Sequence, residues 1–141
     1  MSLRGLFYVT ANAFIELGEN EMALALMDRG VEVMQHYPLE SICLGFSAND
    51  YMVAGIIDNY YKLGQPDKAR ALAKPFGEEL MKSAVFFLSY YDVAQREFDD
   101  CASYLYYLAD VMAKGGDKEA SDDFRNRFSA MLSMEKAVAD D

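Results

Sequence analysis

The chain contains no tryptophan, one histidine, two cysteines and three prolines in 141 residues. With His36 as its single imidazole, it has little room for a histidine-based metal centre or a proton relay. His36 falls in the last turn of a predicted helix, where an imidazolium is favoured by the free carbonyls. Cys43 and Cys101 lie in apolar or aromatic surroundings and read as small buried hydrophobes rather than as a disulfide. There is no Gly-x-Ser-x-Gly elbow and no phosphate-cradling glycine loop, so no constellation for an active site is present and no cofactor is expected. Basic charge is also scarce. Thirteen Lys and Arg stand against 23 Asp and Glu, a net charge of −10. That balance argues against a nucleic-acid partner, which needs a basic stripe, and against an anionic membrane surface. No apolar run reaches the length of a membrane span or resembles a secretory leader. Met1-Ser-Leu enters an apolar helical pattern without a cap, so residues 1–3 read as an expression scar on a fragment of a longer chain.

What the chain has in quantity is apolar and aromatic side chains, 52% and 13% of the sequence, too many for a disordered polypeptide. Its length suits one domain, predicted over residues 4–134, with residues 135–141 as a frayed acidic tail. Helical periodicity predicts a first helix over 3–17 and a second from Asn20 to the break at Pro38. Gly30 inside the second costs about 1 kcal/mol against alanine, so a neighbouring helix should approach closely there. Residues 39–48 form an apolar connection, and Ser47 with Asp50 reads as a capping box for a third helix ending near Leu63. Pro66 suits the first position of a fourth helix, whose internal Pro75 predicts a kink near Ala71–Ala73. The run 83–91 reads as helix to about Leu88 and then a turn. Asp92 with Gln95 reads as the cap of a fifth helix reaching Lys114, and Asp117 as the cap of a sixth that ends near Met134.

Three stretches share one grammar. Phe14-Ile-Glu-Leu-Gly-Glu-Asn-Glu-Met-Ala23 and Tyr60-Tyr-Lys-Leu-Gly-Gln-Pro-Asp-Lys-Ala69 each end a helix at glycine and place alanine five residues on. Val111-Met-Ala-Lys-Gly-Gly-Asp-Lys-Glu-Ala120 does so more weakly. Gly18, Gly64 and Gly115 are the expected turn residues, spaced 64 − 18 = 46 and 115 − 64 = 51 apart. Ala23, Ala69 and Ala120 are the expected points of closest helix approach.

At these residues the chain resembles the tetratricopeptide repeat. The first unit carries it through Phe7, Ala11, Phe14, Gly18, Ala23 and Pro38, the second through Tyr60, Gly64 and Ala69, and the third through Gly115, Ala120 and Phe124. The resemblance implies an all-α fold of three antiparallel helix pairs stacked as a right-handed array. It also implies a protein–protein interaction module rather than an enzyme. Its partner would be a peptide or protein held on the concave side, at Tyr8, Asn12 and Glu16, at Tyr51, Asp58, Tyr61 and Lys62, and at Leu105 and Met112. Of the carboxylate-clamp positions used by some members only Asn12 matches, so an apolar, Tyr-rich or basic segment suits this surface better than an acidic C-terminus. The tyrosine clusters 60–61, 90–91 and 104–107 offer a further aromatic platform.

The whole arrangement, with its Phe86-Phe-Leu-Ser-Tyr-Tyr91 connection, also resembles the C-terminal soluble region of a family of large bacterial multi-pass membrane proteins of unknown function. Their membrane part is similar to protein glycosyltransferases. That resemblance implies an appendage on the periplasmic side of a cell membrane, in contact with its own membrane domain or with a polypeptide substrate. A free-standing scaffold, cytoplasmic and able to form homo-oligomers, is the alternative.

Overall fold

A computed structural model describes residues 3–34 and 47–139 of the chain, and the side chains of residues 5–33 and 52–134. These residues form six helices: α1 (Leu3–Glu16), α2 (Asn20–Met34), α3 (Ser47–Lys62), α4 (Pro66–Ser89), α5 (Tyr91–Lys114) and α6 (Lys118–Ala139). No strand occurs among them. The fold is all-α, and no described helix is long and apolar enough to cross a membrane. His36, Pro38, Cys43 and the connection 39–46 lie outside the described residues, as do the side chains of Ser47 and Asp50 that would form the capping box.

Three tight turns organise the chain, and they are built alike. Glu19, Gln65 and Asp117 each donate their N–H to the carbonyl five residues back, on Phe14, Tyr60 and Met112, all at 2.8 Å. Gly18, Gly64 and Gly116 each donate to the carbonyl three back, at 3.0, 3.1 and 3.2 Å. This double closure requires a left-handed residue after the helix, and those three glycines supply it with φ of 78, 71 and 96°. In the third turn the left-handed residue is thus Gly116. Gly115, the sequence-expected position, is right-handed with φ −77° and ψ −2°. The spacing becomes 116 − 64 = 52, and everything counted from that turn moves by one residue. The first bonds of the following helices run from the N–H of Ala23, Ala69 and Ser121 to the carbonyls of Glu19, Gln65 and Asp117. Ser121, not Ala120, is therefore the counterpart of Ala23 and Ala69, and all three are 0% exposed. The Ser121 hydroxyl is satisfied by donating to the Ala109 carbonyl at 2.6 Å, so burial leaves no polar orphan.

Helices consecutive across these turns pack on each other, and α4 packs along α5. Contacts of α1 with α3, α3 with α5 and α4 with α6 join them into one core of Met27, Ile56, Ile57, Phe76, Leu80, Leu108 and Phe128 among others. Rings laid on glycines set several of these approaches. Phe7 rests on Gly30, as the glycine in mid-helix predicted; Tyr8 rests on Gly55, Tyr61 on Gly115 and Phe124 on Gly77.

Two local expectations meet different outcomes at α4 and α5. The turn after Leu88 is present, with α4 running through Ser89. The capping box at Asp92 is not: the N-cap is Tyr90, without a side-chain cap, and the helical path breaks at Ala94 with φ −123° and ψ 26°. Pro75 lies inside a continuous α4. It and Ala71, whose carbonyl loses its partner, are both exposed, so water solvates the gap. At the other end α6 continues past Met134 to Ala139.

Candidate functional site

The surface shared by α1, α3 and α5 holds most of the groove positions named from the sequence, but much of it is committed to joining helices. The Tyr8 ring covers the backbone of Gly55. The Asn59 amide, 3% exposed, donates to Asn12 Oδ1 at 2.7 Å and ties α3 to α1. Glu16 is exposed. Asp58 and Lys62 pair at 2.7 Å along one helix face, with side chains 26% and 60% exposed. The Tyr51 side chain lies outside those described.

Tyr61 is a structural member of this surface. Its ring packs on Gly115 and its hydroxyl donates to Asp117 Oδ2 at 2.5 Å. Arg70 Nε donates to the other oxygen, Asp117 Oδ1, at 2.7 Å. One carboxylate at the head of α6 thus gathers α3 and α4. The neighbouring Tyr60, 2% exposed, does the same on the other side. Its hydroxyl donates to Asp28 Oδ1 at 2.8 Å, and Lys68 Nζ reaches Asp28 Oδ2 at 2.7 Å. Burial first, and then the adjacent carboxylate, push both phenols above the ordinary tyrosine range, since each disfavours a phenolate. Beside Asp117 these charges hold the Arg70 guanidinium more firmly protonated than usual, chiefly through the hydrogen bond.

Leu105 and Met112 are not surface residues. They are 2% and 0% exposed and belong to the core. The reason is the one-residue shift of the third turn. Counted from Gly116, Leu105 is the counterpart of Phe7 and Val53, and Met112 of Phe14 and Tyr60. The groove counterparts on α5 are Tyr106, Asp110 and Lys114, which align with Tyr8, Asn12 and Glu16. Tyr106 is 40% exposed, lies edge-on to Phe128 at 5.3 Å and carries Arg125 5.9 Å above its ring. Asp110 is paired with Arg125. The signal that would have found them is Asp117: as the helix-capping residue it marks its predecessor, not Gly115, as the left-handed position.

Of the platform tyrosines, Tyr90, Tyr91 and Tyr106 keep open faces at 57, 40 and 40% exposure. Among the described residues no three Asp, Glu, His or Cys side chains converge as a metal site, and Cys101 is buried. A shallow cleft between α4 and the head of α6 is charged, but Arg70 there is held by Asp117 and Asp67, and Lys118 by Asp122.

Compared with protein-family models, curated proteins and solved structures, the chain matches none of them.

Proposed function

We propose that the chain is a tetratricopeptide-like scaffold of three antiparallel helix pairs, stacked in a right-handed sense, which binds a polypeptide and carries out no chemistry of its own. The observation that carries this reading is the identical hydrogen-bond closure of the three turns, each followed five residues later by a fully buried small residue. Contacts of α1 with α3 and of α3 with α5 bring the first helix of every pair side by side, as a concave binding face requires. Its open groups are Glu16, Asp58 and Lys62 on the first two units and Tyr106, Asp110 and Lys114 on the third. The net charge of −10 favours an apolar or basic segment over an acidic one.

Selection of displayed peptides against this domain tests the proposal. A family of peptides should emerge whose binding falls at least about ten-fold, about 1.4 kcal/mol, in a Glu16→Lys, Asp58→Asn, Asp110→Asn variant that keeps the helical content and cooperative melting of the parent. Peptides that bind this variant as well as the parent overturn it. The resemblance to soluble regions of glycosyltransferase-like membrane proteins supplies the more specific version, an appendage facing the periplasm that holds its own membrane domain or a polypeptide substrate. A photo-crosslinker at Lys62 in the producing cell separates the versions. Adducts within one polypeptide mark an appendage, and adducts with a second protein mark a substrate or a free-standing scaffold's partner.

A further inference from the structure

The far ends of α4 and α5 carry a second surface, separate from the face of α1, α3 and α5. Both helices have 24 residues against 16 in α3. Because α3 and α4 are joined at the Gly64 turn, the excess, 24 − 16 = 8 residues or about 12 Å, lies at the opposite end. Among the described residues α1, α2 and α3 are shorter by eight residues or more, and α6, with 22 residues, is the one other helix that runs back along α5 toward this end. Val85, Phe86, Tyr90, Tyr91 and Val93 are 50, 57, 57, 40 and 84% exposed there. The tip is nonetheless built. Phe86 lies 5.3 Å from Tyr90 and 5.5 Å from Phe87, and Tyr91 lies edge-on to Phe98 at 5.7 Å. The N–H groups of Val93 and Ala94 both bond the Tyr90 carbonyl, at 3.0 and 2.9 Å. The break at Ala94 sets the turn that carries Val93 apart from the rest of α5.

A depression next to Val93 is lined by Asp92, Glu97, Asp99 and Asp100 against the single cation Arg96. Among the described residues none of those four carboxylates is in an ion pair, whereas Asp28, Asp58, Glu78, Asp110 and Asp122 all are. Exposed apolar surface of this kind marks an interaction site, and its charge selects the occupant. A second copy would bring two unpaired acidic sets together, and an anionic bilayer would be repelled. A segment with apolar anchors flanked by basic groups satisfies both halves of the surface.

We propose that the α4–α5 tip docks a basic amphipathic helix, whose apolar face covers Phe86, Tyr90 and Val93 while its lysines or arginines lie over Asp92, Glu97, Asp99 and Asp100. The chain has no tryptophan, so a synthetic Leu/Lys amphipathic helix bearing one Trp reports binding by its own fluorescence. Its affinity should fall at least about ten-fold in a Phe86→Ser, Val93→Asp variant and in an Asp99→Lys, Asp100→Lys variant, with steep salt dependence. Glu19→Lys with Glu21→Lys makes the same change of net charge elsewhere and should leave the affinity within about two-fold. Equal weakening by this control, equal binding of a Leu/Glu helix, capture of the chain by phosphatidylcholine vesicles through the same residues, or a dimer abolished by the tip variants would each overturn the proposal. Peptides selected for the face of α1, α3 and α5 should bind the Phe86→Ser, Val93→Asp chain as they bind the parent, so failure of the polypeptide-binding face and failure of the tip are read separately.

Discussion

At the scale of single residues, the aromatic rings that lie on glycines decide how closely helices meet. A methyl group at position 77 would fall within the ring of Phe124, which is itself 3% exposed and has nowhere to swing. Gly77→Ala therefore sets a helix-propensity gain of about 1 kcal/mol against overpacking of about 1–3 kcal/mol, and the clash should win. Urea unfolding should show a net loss of up to about 2 kcal/mol, and an increase in stability would refute the contact. The paired phenols give a pH signature. Tyr60 and Tyr61 are raised in the folded state, so the native form holds their protons longer than the unfolded chain does. The stability this contributes is complete below pH of about 10, the unfolded tyrosine value, and drains as pH rises above it. Urea midpoints taken from pH 8 to 11 should fall above pH 10 in the parent and stay flatter in Tyr60→Phe, Tyr61→Phe. Near neutrality that variant loses only the two hydrogen bonds, about 1 kcal/mol each.

At the scale of elements, Pro75 denies α4 one backbone bond on its wet side. Pro75→Ala restores the N–H toward Ala71 and should raise stability by about 2 kcal/mol, the helix-interior penalty of proline less its restriction of the unfolded chain. Thermal melts followed by far-ultraviolet circular dichroism would detect it, and an unchanged midpoint would mean that α4 already compensates fully. The helices and two of the turns were legible because Leu-Gly stops and apolar stripes coincide in sequence. The third turn was misread, since Gly115-Gly116 offers two residues able to adopt positive φ; Asp117 after them points to the second, and the backbone bonds to Val111, Met112 and Ala113 show it. That single ambiguity moved the α5 groove positions back by one residue, from Tyr106 to Leu105 and from Ala113 to Met112, both of them buried. Asp92 with Gln95 imitates a capping box, yet Tyr90 closes the tip with its own carbonyl and the helical path breaks at Ala94. The overhang of α4 and α5 was legible, because the run 83–91 reads as helix to about Leu88 and then a turn, as the ends of α4 at Ser89 and of α5 at Tyr91 bear out.

At the scale of the whole molecule, 23 acidic residues against 13 basic ones load the compact state with self-repulsion. Pairs such as Arg127 with Glu78, at 2.6 and 2.7 Å between α6 and α4, relieve only part of it. They are exposed enough that each contributes well under about 1 kcal/mol. Raising sodium chloride from about 20 to 200 mM should therefore raise the thermal midpoint by a few degrees, since screening the net repulsion outweighs weakening of the pairs. A midpoint that falls with salt would show that specific pairs dominate. The seat that Gly55 offers to the Tyr8 ring has a counterpart at the outer face of α1. Gly55 stands 64 − 55 = 9 residues before its turn glycine, and Val9 stands 18 − 9 = 9 before its own. Tyr106 occupies at the far end the place that Tyr8 holds in the first unit, so copies laid head to tail would press that ring onto the isopropyl group of Val9, 48% exposed. Were the helix pairs stacked in the proposed array, like units open at both ends would invite growth into fibres, and the branched side chain of Val9 would obstruct the first link of such a polymer.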